Sequence, residues 1–408
     1  MSFNLDVEIS RTGTNSIKWE HVFNEDHALV PSDACNKKHG ADRILPMWVA
    51  DMDFHVPQQS VDAIIKRAQH GLFGYSAVSD DYFEAFTGFV ERRHDWKIEA
   101  DWVTLTPGVV PAFNMLLQTF TEPNDKVIIQ RPVYHPFTYA VENNGRTLVN
   151  NALINDKGYY RMDFDDLEEK ASDPDTKLMI FCSPHNPVGR VWTRDELTRM
   201  GEICLANNVL VISDEIHCDL AQPNHKFVSF GSISEAFAQN SICCMAPSKT
   251  FNMAGMKVSN IIIPNEEMRL KFDDFLMCLG LKGTNCFGVI AAEQAYRHGD
   301  EWLDAVIDYV GANHRYMCDF LAEHLPQLRL SPLQGTYLTW LDCRALEMSN
   351  EELESFIFDK AGLFVNQGHV FGDEAGSGFL RLNLSCPRSI VEEAMQRLKT
   401  AVSTLEYA

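Results

Sequence analysis

Residues 209–217 read Val209-Leu210-Val211-Ile212-Ser213-Asp214-Glu215-Ile216-His217. Four consecutive aliphatic side chains fit a strand buried on both faces, as in a parallel sheet. The run ends in a carboxylate, an arrangement typical of a strand whose carboxyl end faces a ligand. Similar runs lie at 126–130, 177–182, 241–245 and 260–263. Between some of them the pattern turns helical. Val109, Ala112, Phe113, Leu116, Leu117 and Phe120 follow an i, i+3, i+4, i+7 face, and Thr193-Arg194-Asp195-Glu196 is a capping box. This alternation predicts an α/β domain around a mainly parallel sheet. From about residue 290 longer helical stretches follow, then a strand over 336–341 and an alternating one over 379–385. In that last strand Leu380, Leu382 and Leu384 share one side, Arg381, Asn383 and Ser385 the other. The expected division is a large domain over 55–290 and a smaller α/β domain from both chain ends, 1–54 and 291–408.

Composition bounds the function. The 408 residues suit two or three domains at roughly 150 each, and 45% hydrophobic with 23% charged is ordinary for a globular protein. Thirty-five basic against 57 acidic residues leave a net charge of −22, which disfavours nucleic acid and anionic membranes as partners. The eleven cysteines, Cys35 among them, are scattered, and no C-x-x-C pair is present. They read as packing residues, and no metal site is expected. The stretch Met1-Ser2-Phe3-Asn4-Leu5-Asp6-Val7-Glu8 lacks a basic start and an apolar centre. With no run of about 18 apolar residues either, the expectation is a cytoplasmic protein.

Ligands of open α/β sheets bind beyond the carboxyl ends of the strands. Three such ends carry polar groups here: Ser183-Pro184-His185-Asn186-Pro187-Val188-Gly189, then Ser213-Asp214-Glu215-Ile216-His217, then Ala246-Pro247-Ser248-Lys249-Thr250-Phe251-Asn252. A fourth junction, Thr106-Pro107-Gly108, opens a helix whose free N–H groups suit a phosphate. An amide, a carboxylate, a lysine and a phosphate cradle match the needs of pyridoxal phosphate. That cofactor requires an amine for its aldehyde, an acid for its pyridine nitrogen and a donor to its ring hydroxyl.

The ordered set Asn186-Pro187-x-Gly189, Asp214-Glu215-Ile216-His217 and Ser248-Lys249-Thr250-Phe251-Asn252-x-Ala254-Gly255 resembles the fold-type I, class I/II aminotransferase superfamily. Asn15-Ser16-x-Lys18-Trp19, the stretch Leu45-Pro46-Met47-Trp48-Val49-Ala50-Asp51-Met52-Asp53-Phe54 and Gly71-Leu72-Phe73-Gly74-Tyr75 resemble its MalY/PatB branch, cystathionine or cysteine-S-conjugate β-lyases. The resemblance spans essentially the whole chain. It implies a large domain with a mainly parallel seven-stranded sheet, bound pyridoxal 5'-phosphate, an amino-acid substrate and a homodimer with shared active sites.

Residue by residue, the resemblance implies that Lys249 bonds the cofactor and then shuttles the substrate α-proton. Asp214 would pair with the pyridinium nitrogen, Asn186 would donate to the ring hydroxyl and contact substrate, and Tyr134 would stack on the ring. His217 stands where many relatives have Tyr. Val109 and Val110 N–H groups, Ser248 and Lys257 would hold the phosphate, with Tyr75 reaching across from the partner subunit. Lys257 replaces the usual Arg, keeping the charge and losing the two-pronged fork. Ala246 stands where several relatives have a phosphate-binding Ser. Arg381 would clamp the substrate carboxylate, and Ala50 would line the substrate site.

Each residue alone has a plainer reading. Lys249 would be a solvated lysine, Asp214 a helix cap, Asn186-Pro187 a turn, Arg381 half of an ion pair. Tyr75 and Tyr134 would be packing aromatics, and His217 a structural histidine. The set as a whole favours a C–S β-lyase. An aminotransferase using the same residues is the alternative, and a catalytically silent binding protein of the same fold is a third reading.

Overall fold

The computed structural model describes residues 3–23, 29–31 and 44–405; Cys35, Met1 and Ser2 lie outside them. Seven strands form the main sheet: β1 (Val103–Thr106), β2 (Lys126–Ile129), β3 (Thr147–Asn150), β4 (Thr176–Cys182), β5 (Leu210–Asp214), β6 (Ser241–Met245) and β7 (Ser259–Ile262). Their order is β1-β7-β6-β5-β4-β2-β3. Pairing is parallel from β6 through to β3, while β7 runs antiparallel to both neighbours. The chain thus adopts the expected α/β fold with a mainly parallel seven-stranded sheet.

Alternating side chains explain why the sheet strands read as unbroken apolar runs. Leu178, Ile180 and Ile212 pack into one core together with Phe113 and Leu116 of the Val109–Phe120 helix. Met179, Phe181 and Val211 fill a second core on the opposite face, with Leu197 and Met200 of the Arg194–Ala206 helix. That helix starts at the expected Thr193 capping box. The central strands therefore bury both faces, and only their ends are left for polar chemistry.

A second sheet is antiparallel throughout: β8 (Arg329–Leu330), β9 (Leu338–Asp342), β10 (Asn366–Gln367) and β11 (Phe379–Asn383), in the order β8-β9-β11-β10. The strand expected from residue 336 begins two residues later. Thr336 has a left-handed φ of 69°, and its hydroxyl accepts the Leu338 N–H at 3.0 Å, which turns the chain before pairing starts. The alternation in β11 holds, but both of its sides are buried. Leu45–Pro46 pairs in parallel with Leu363–Phe364, joining an early segment to a late one. No helix among the described residues is long and apolar enough to cross a membrane.

Candidate active site

The sheet register brings the polar turns together. Asp214 lies level with Cys182 on one side and Cys244 on the other. The turns carrying Asn186, Asp214 and Lys249 therefore leave the sheet at one edge. Because β7 is antiparallel, its start lies at that same edge: Ser259 faces Thr106 and Asn260 faces Met245. Lys257, two residues before β7, thereby joins Ser248 and the start of the Val109–Phe120 helix. At the helix cap, Gly108 leaves the approach open; a Cβ there would meet the Pro111 ring at 3.2 Å. The elements that carry Val109, Val110, Ser248 and Lys257 converge as a phosphate cradle would require.

Asp214 is buried and accepts one backbone hydrogen bond, from Ile216 N–H at 3.2 Å. Burial pushes its carboxyl up to about 7, against the pull of that N–H and of the Lys249 charge. Glu215, next in sequence, faces the other way and is fully occupied by Ser213, Ser229 and the Phe230 N–H. It is a structural carboxylate. Lys249 follows β6 in the short helix Pro247–Thr250, and burial brings its amine down to about 8. Its Nζ donates to the Ala50 carbonyl at 2.6 Å. His217 is buried with Nδ1 unpartnered, its ring edge-on to Tyr337 at 5.8 Å. Burial, then the Lys249 and Arg381 charges, hold it far below the usual imidazole range, so it is a neutral ring.

Arg381 sits in the middle of the second sheet, paired with Trp340 and Asn366. Its guanidinium donates to Asn186 Oδ1 (3.2 Å), the Trp48 carbonyl (2.8 Å) and Asn366 Oδ1 (2.5 Å), and lies 4.9 Å over the Phe371 ring. Burial lowers it to about 10, and it remains charged at neutral pH. The Tyr134 N–H donates to the Asn186 carbonyl at 3.1 Å, which ties the turn after β2 to the turn after β4. Tyr75 projects from the segment after the Gln58–His70 helix and is fully exposed in the single chain.

The N-terminal signature enters this site through its backbone. Asn383 Nδ2 donates to the carbonyls of Val49 (2.7 Å) and Asp51 (2.6 Å). The Ala50 carbonyl also accepts the Tyr337 hydroxyl, at 2.8 Å. Asn252 holds the next stretch by accepting from Met52 N–H and donating to the Met52 and Phe54 carbonyls. Lys18 and Trp19 anchor it from outside, both bonded to the buried Asp53, while Arg11 makes a two-point pair with Asp51. Tyr337, Asn383 and Asn252 escaped the sequence reading. Asn383, on the polar side of β11 beside Arg381, and Asn252, within the Ser248-Lys249-Thr250-Phe251-Asn252 run, carried a usable signal.

The residues fit pyridoxal phosphate. Among the described residues no cation is bonded to the buried Asp214 carboxylate, as a site for a protonated pyridine nitrogen requires. Arg381 Nε is buried without a partner among the described residues. The Asn186 amide nitrogen donates to no group among the described residues.

Comparison with known proteins agrees. The family model for class I and II aminotransferases matches residues 44–398. Cystathionine beta-lyase PatB of Bacillus subtilis is 42% identical over 400 residues, covering 98% of this chain and all of that protein. Protein MalY of Escherichia coli is 31% identical, covering 98% of this chain and 99% of its own. The crystal structure of cystalysin from Treponema denticola, which contains pyridoxal 5'-phosphate, superposes with a TM-score of 0.93 at 37% identity, covering 99% of this chain and 100% of that one. Sheet order, converging strand ends and full-length likeness all lead to one family: this chain belongs to the class I and II aminotransferases, in their PatB/MalY branch.

Proposed function

We propose that this protein is a pyridoxal 5'-phosphate-dependent C–S β-lyase, cleaving L-cystathionine or related cysteine S-conjugates to a thiol, pyruvate and ammonia. One observation carries the choice of lyase. The signature segment that sets the PatB/MalY branch apart is built into the site, its Trp48 and Ala50 carbonyls accepting from Arg381 and Lys249. Lys249 would bond the cofactor's aldehyde carbon, Asp214 would pair with its pyridine nitrogen, Asn186 would donate to its ring hydroxyl, Tyr134 would stack on the ring, and the neutral His217 would lie beside it. Val109 and Val110 N–H groups, Ser248 and Lys257 would hold the phosphate. Bound there, the cofactor supplies an electron sink for the pair left behind when the substrate α-proton departs.

The chain's own groups do the rest. Arg381 would fix the substrate carboxylate, with Asn186 and Ala50 bordering it. The Lys249 amine, already brought down to about 8, would take the α-proton near neutral pH. The β-carbon–sulfur bond then breaks with its electron pair on sulfur, and the released enamine hydrolyses to pyruvate and ammonia. The fully exposed Tyr75 supports a homodimer in which each subunit lends this ring to its partner's phosphate. The pairing of Leu45–Pro46 with Leu363–Phe364 supports a smaller domain drawn from both chain ends around 55–290. A cytoplasmic setting belongs to the same reading.

The test is purified protein with L-cystathionine, with and without a 2-oxo acid. Pyruvate and homocysteine without the oxo acid are expected. Turnover that needs the oxo acid would replace the lyase by an aminotransferase, and no turnover of any amino acid by cofactor-loaded protein would leave a binding role.

A further inference from the structure

The Ala50 carbonyl is shared between two donors, Lys249 Nζ at 2.6 Å and the Tyr337 hydroxyl at 2.8 Å. A carbonyl oxygen has two lone pairs, and here both are taken. Neither the carbonyl nor the phenol has room to drift. Asn383 pins the carbonyls on either side of Ala50, and Arg381 pins that of Trp48. Tyr337 is wholly buried, directly follows the turn at Thr336 and packs edge-on against His217. We propose that Tyr337 is a positioning residue for Lys249: its hydroxyl occupies one lone pair of the Ala50 carbonyl, leaving the other as the fixed acceptor that aims the free lysine amine. This rests on Lys249 being the lysine that bonds the cofactor.

The groups facing the Lys249 amine are Asp51 and Asp214, which favour its charged form, and Arg381, which opposes it. The His217 ring beside it is neutral. Burial holds the Tyr337 phenol far above its usual range, so it stays a neutral donor. Its hydrogen bond draws electron density from the Ala50 oxygen. Without it, that oxygen becomes a better acceptor for an ammonium than for an amine. Lys249 should then hold its proton to higher pH.

Tyr337→Phe removes only the hydroxyl and keeps the ring against His217, so the fold is retained. The readout is the rate at which cofactor-free protein combines with pyridoxal phosphate, followed by absorbance from about pH 6 to about pH 10, since only the neutral amine reacts. The wild-type midpoint is expected at about 8. In Tyr337→Phe it should rise by roughly 0.5–1 unit, and kcat of the loaded enzyme should fall about tenfold with KM changed less than about twofold. Lys249→Ala is the control. If it still forms the covalent absorbance band, the Lys249 assignment falls and this proposal with it. If that band is lost but the Tyr337→Phe midpoint stays within about 0.2 unit of wild type, or moves down, the role of Tyr337 alone is refuted.

Discussion

Asp214→Asn should stabilise the cofactor-free protein while crippling the loaded one. The Asp214 carboxyl stands at about 7 in the folded chain against 3.8 for the free side chain, and burial is the main cause. Between these values the folded state keeps a proton that the unfolded chain has lost. Stability therefore falls as pH rises from about 4 to about 7 and stays at its lower level above that. The full penalty is about 4 kcal/mol, at about 1.4 kcal/mol per pH unit. Asparagine has the same shape, carries no charge, and keeps an oxygen for the Ile216 N–H. Its buried NH2 takes back about 1–2 kcal/mol, which leaves a net gain of roughly 2–3 kcal/mol above pH 7. Thermal unfolding of the cofactor-free proteins at about pH 8 should then show the variant melting roughly 2–5 °C higher. At about pH 4.5 the advantage should vanish, because only about 1 kcal/mol of the wild-type penalty remains there, about what the buried NH2 costs. In the loaded enzyme the buried charge is the asset, so Asp214→Asn should lose roughly 10²–10³-fold in kcat. A variant that melts lower than wild type at both pH values would refute the view that Asp214 is held in reserve for a cation.

Arg381→Lys keeps the charge but loses the fork that reaches Asn186, Trp48 and Asn366 and the stacking on Phe371. Steady-state kinetics should show kcat/KM for L-cystathionine down by about 10²-fold, mostly through KM. Asn252→Ala removes three hydrogen bonds to Met52 and Phe54 and places a Cβ-bearing residue without side-chain help at φ 57°. Urea unfolding should register a loss of about 3–4 kcal/mol, with Asn252→Gly recovering about 1 kcal/mol through the relieved backbone.

The main sheet was legible because its strands bury both faces and therefore read as apolar runs ending in polar residues. Asp214, Asn186 and Lys249 stood out for the same reason: each follows such a run. Two strands gave no such signal. Val103–Thr106 alternates Val and Leu with Thr, and Thr147–Asn150 is an edge strand that stays partly exposed. The reversed direction of β7 was equally hidden, since a buried strand has the same composition whichever way it runs. Buried cysteines read correctly as packing. Cys204 and Cys386 are pushed up to about 12 by burial alone or chiefly by burial, too high to act as thiolates.

The signature at residues 45–54 shows where sequence reading stops. Its side chains identified a branch of the family, yet what it brings to the site is backbone. The carbonyls of Trp48, Val49, Ala50 and Asp51 each accept from a side chain that lies about 200 residues or more away. A carbonyl is the same at every residue, so no pattern announces it. What the sequence does encode is the means of holding those carbonyls still: Asp51 paired with Arg11, Asp53 with Lys18 and Trp19, and Asn252 bonded to the stretch that follows. A segment held on one flank by strand pairing at Leu45–Pro46 and on the other by ion pairs at Asp51 and Asp53 can present unvarying acceptors to Arg381 and Lys249. Arg381 in the second sheet and Lys249 at the end of a main-sheet strand are thereby registered against one short piece of main chain. Arg11→Ala or Lys18→Met, at residues bonded to Asp51 and Asp53 and not to Arg381 or Lys249, should therefore lower kcat in steady-state assays through this segment.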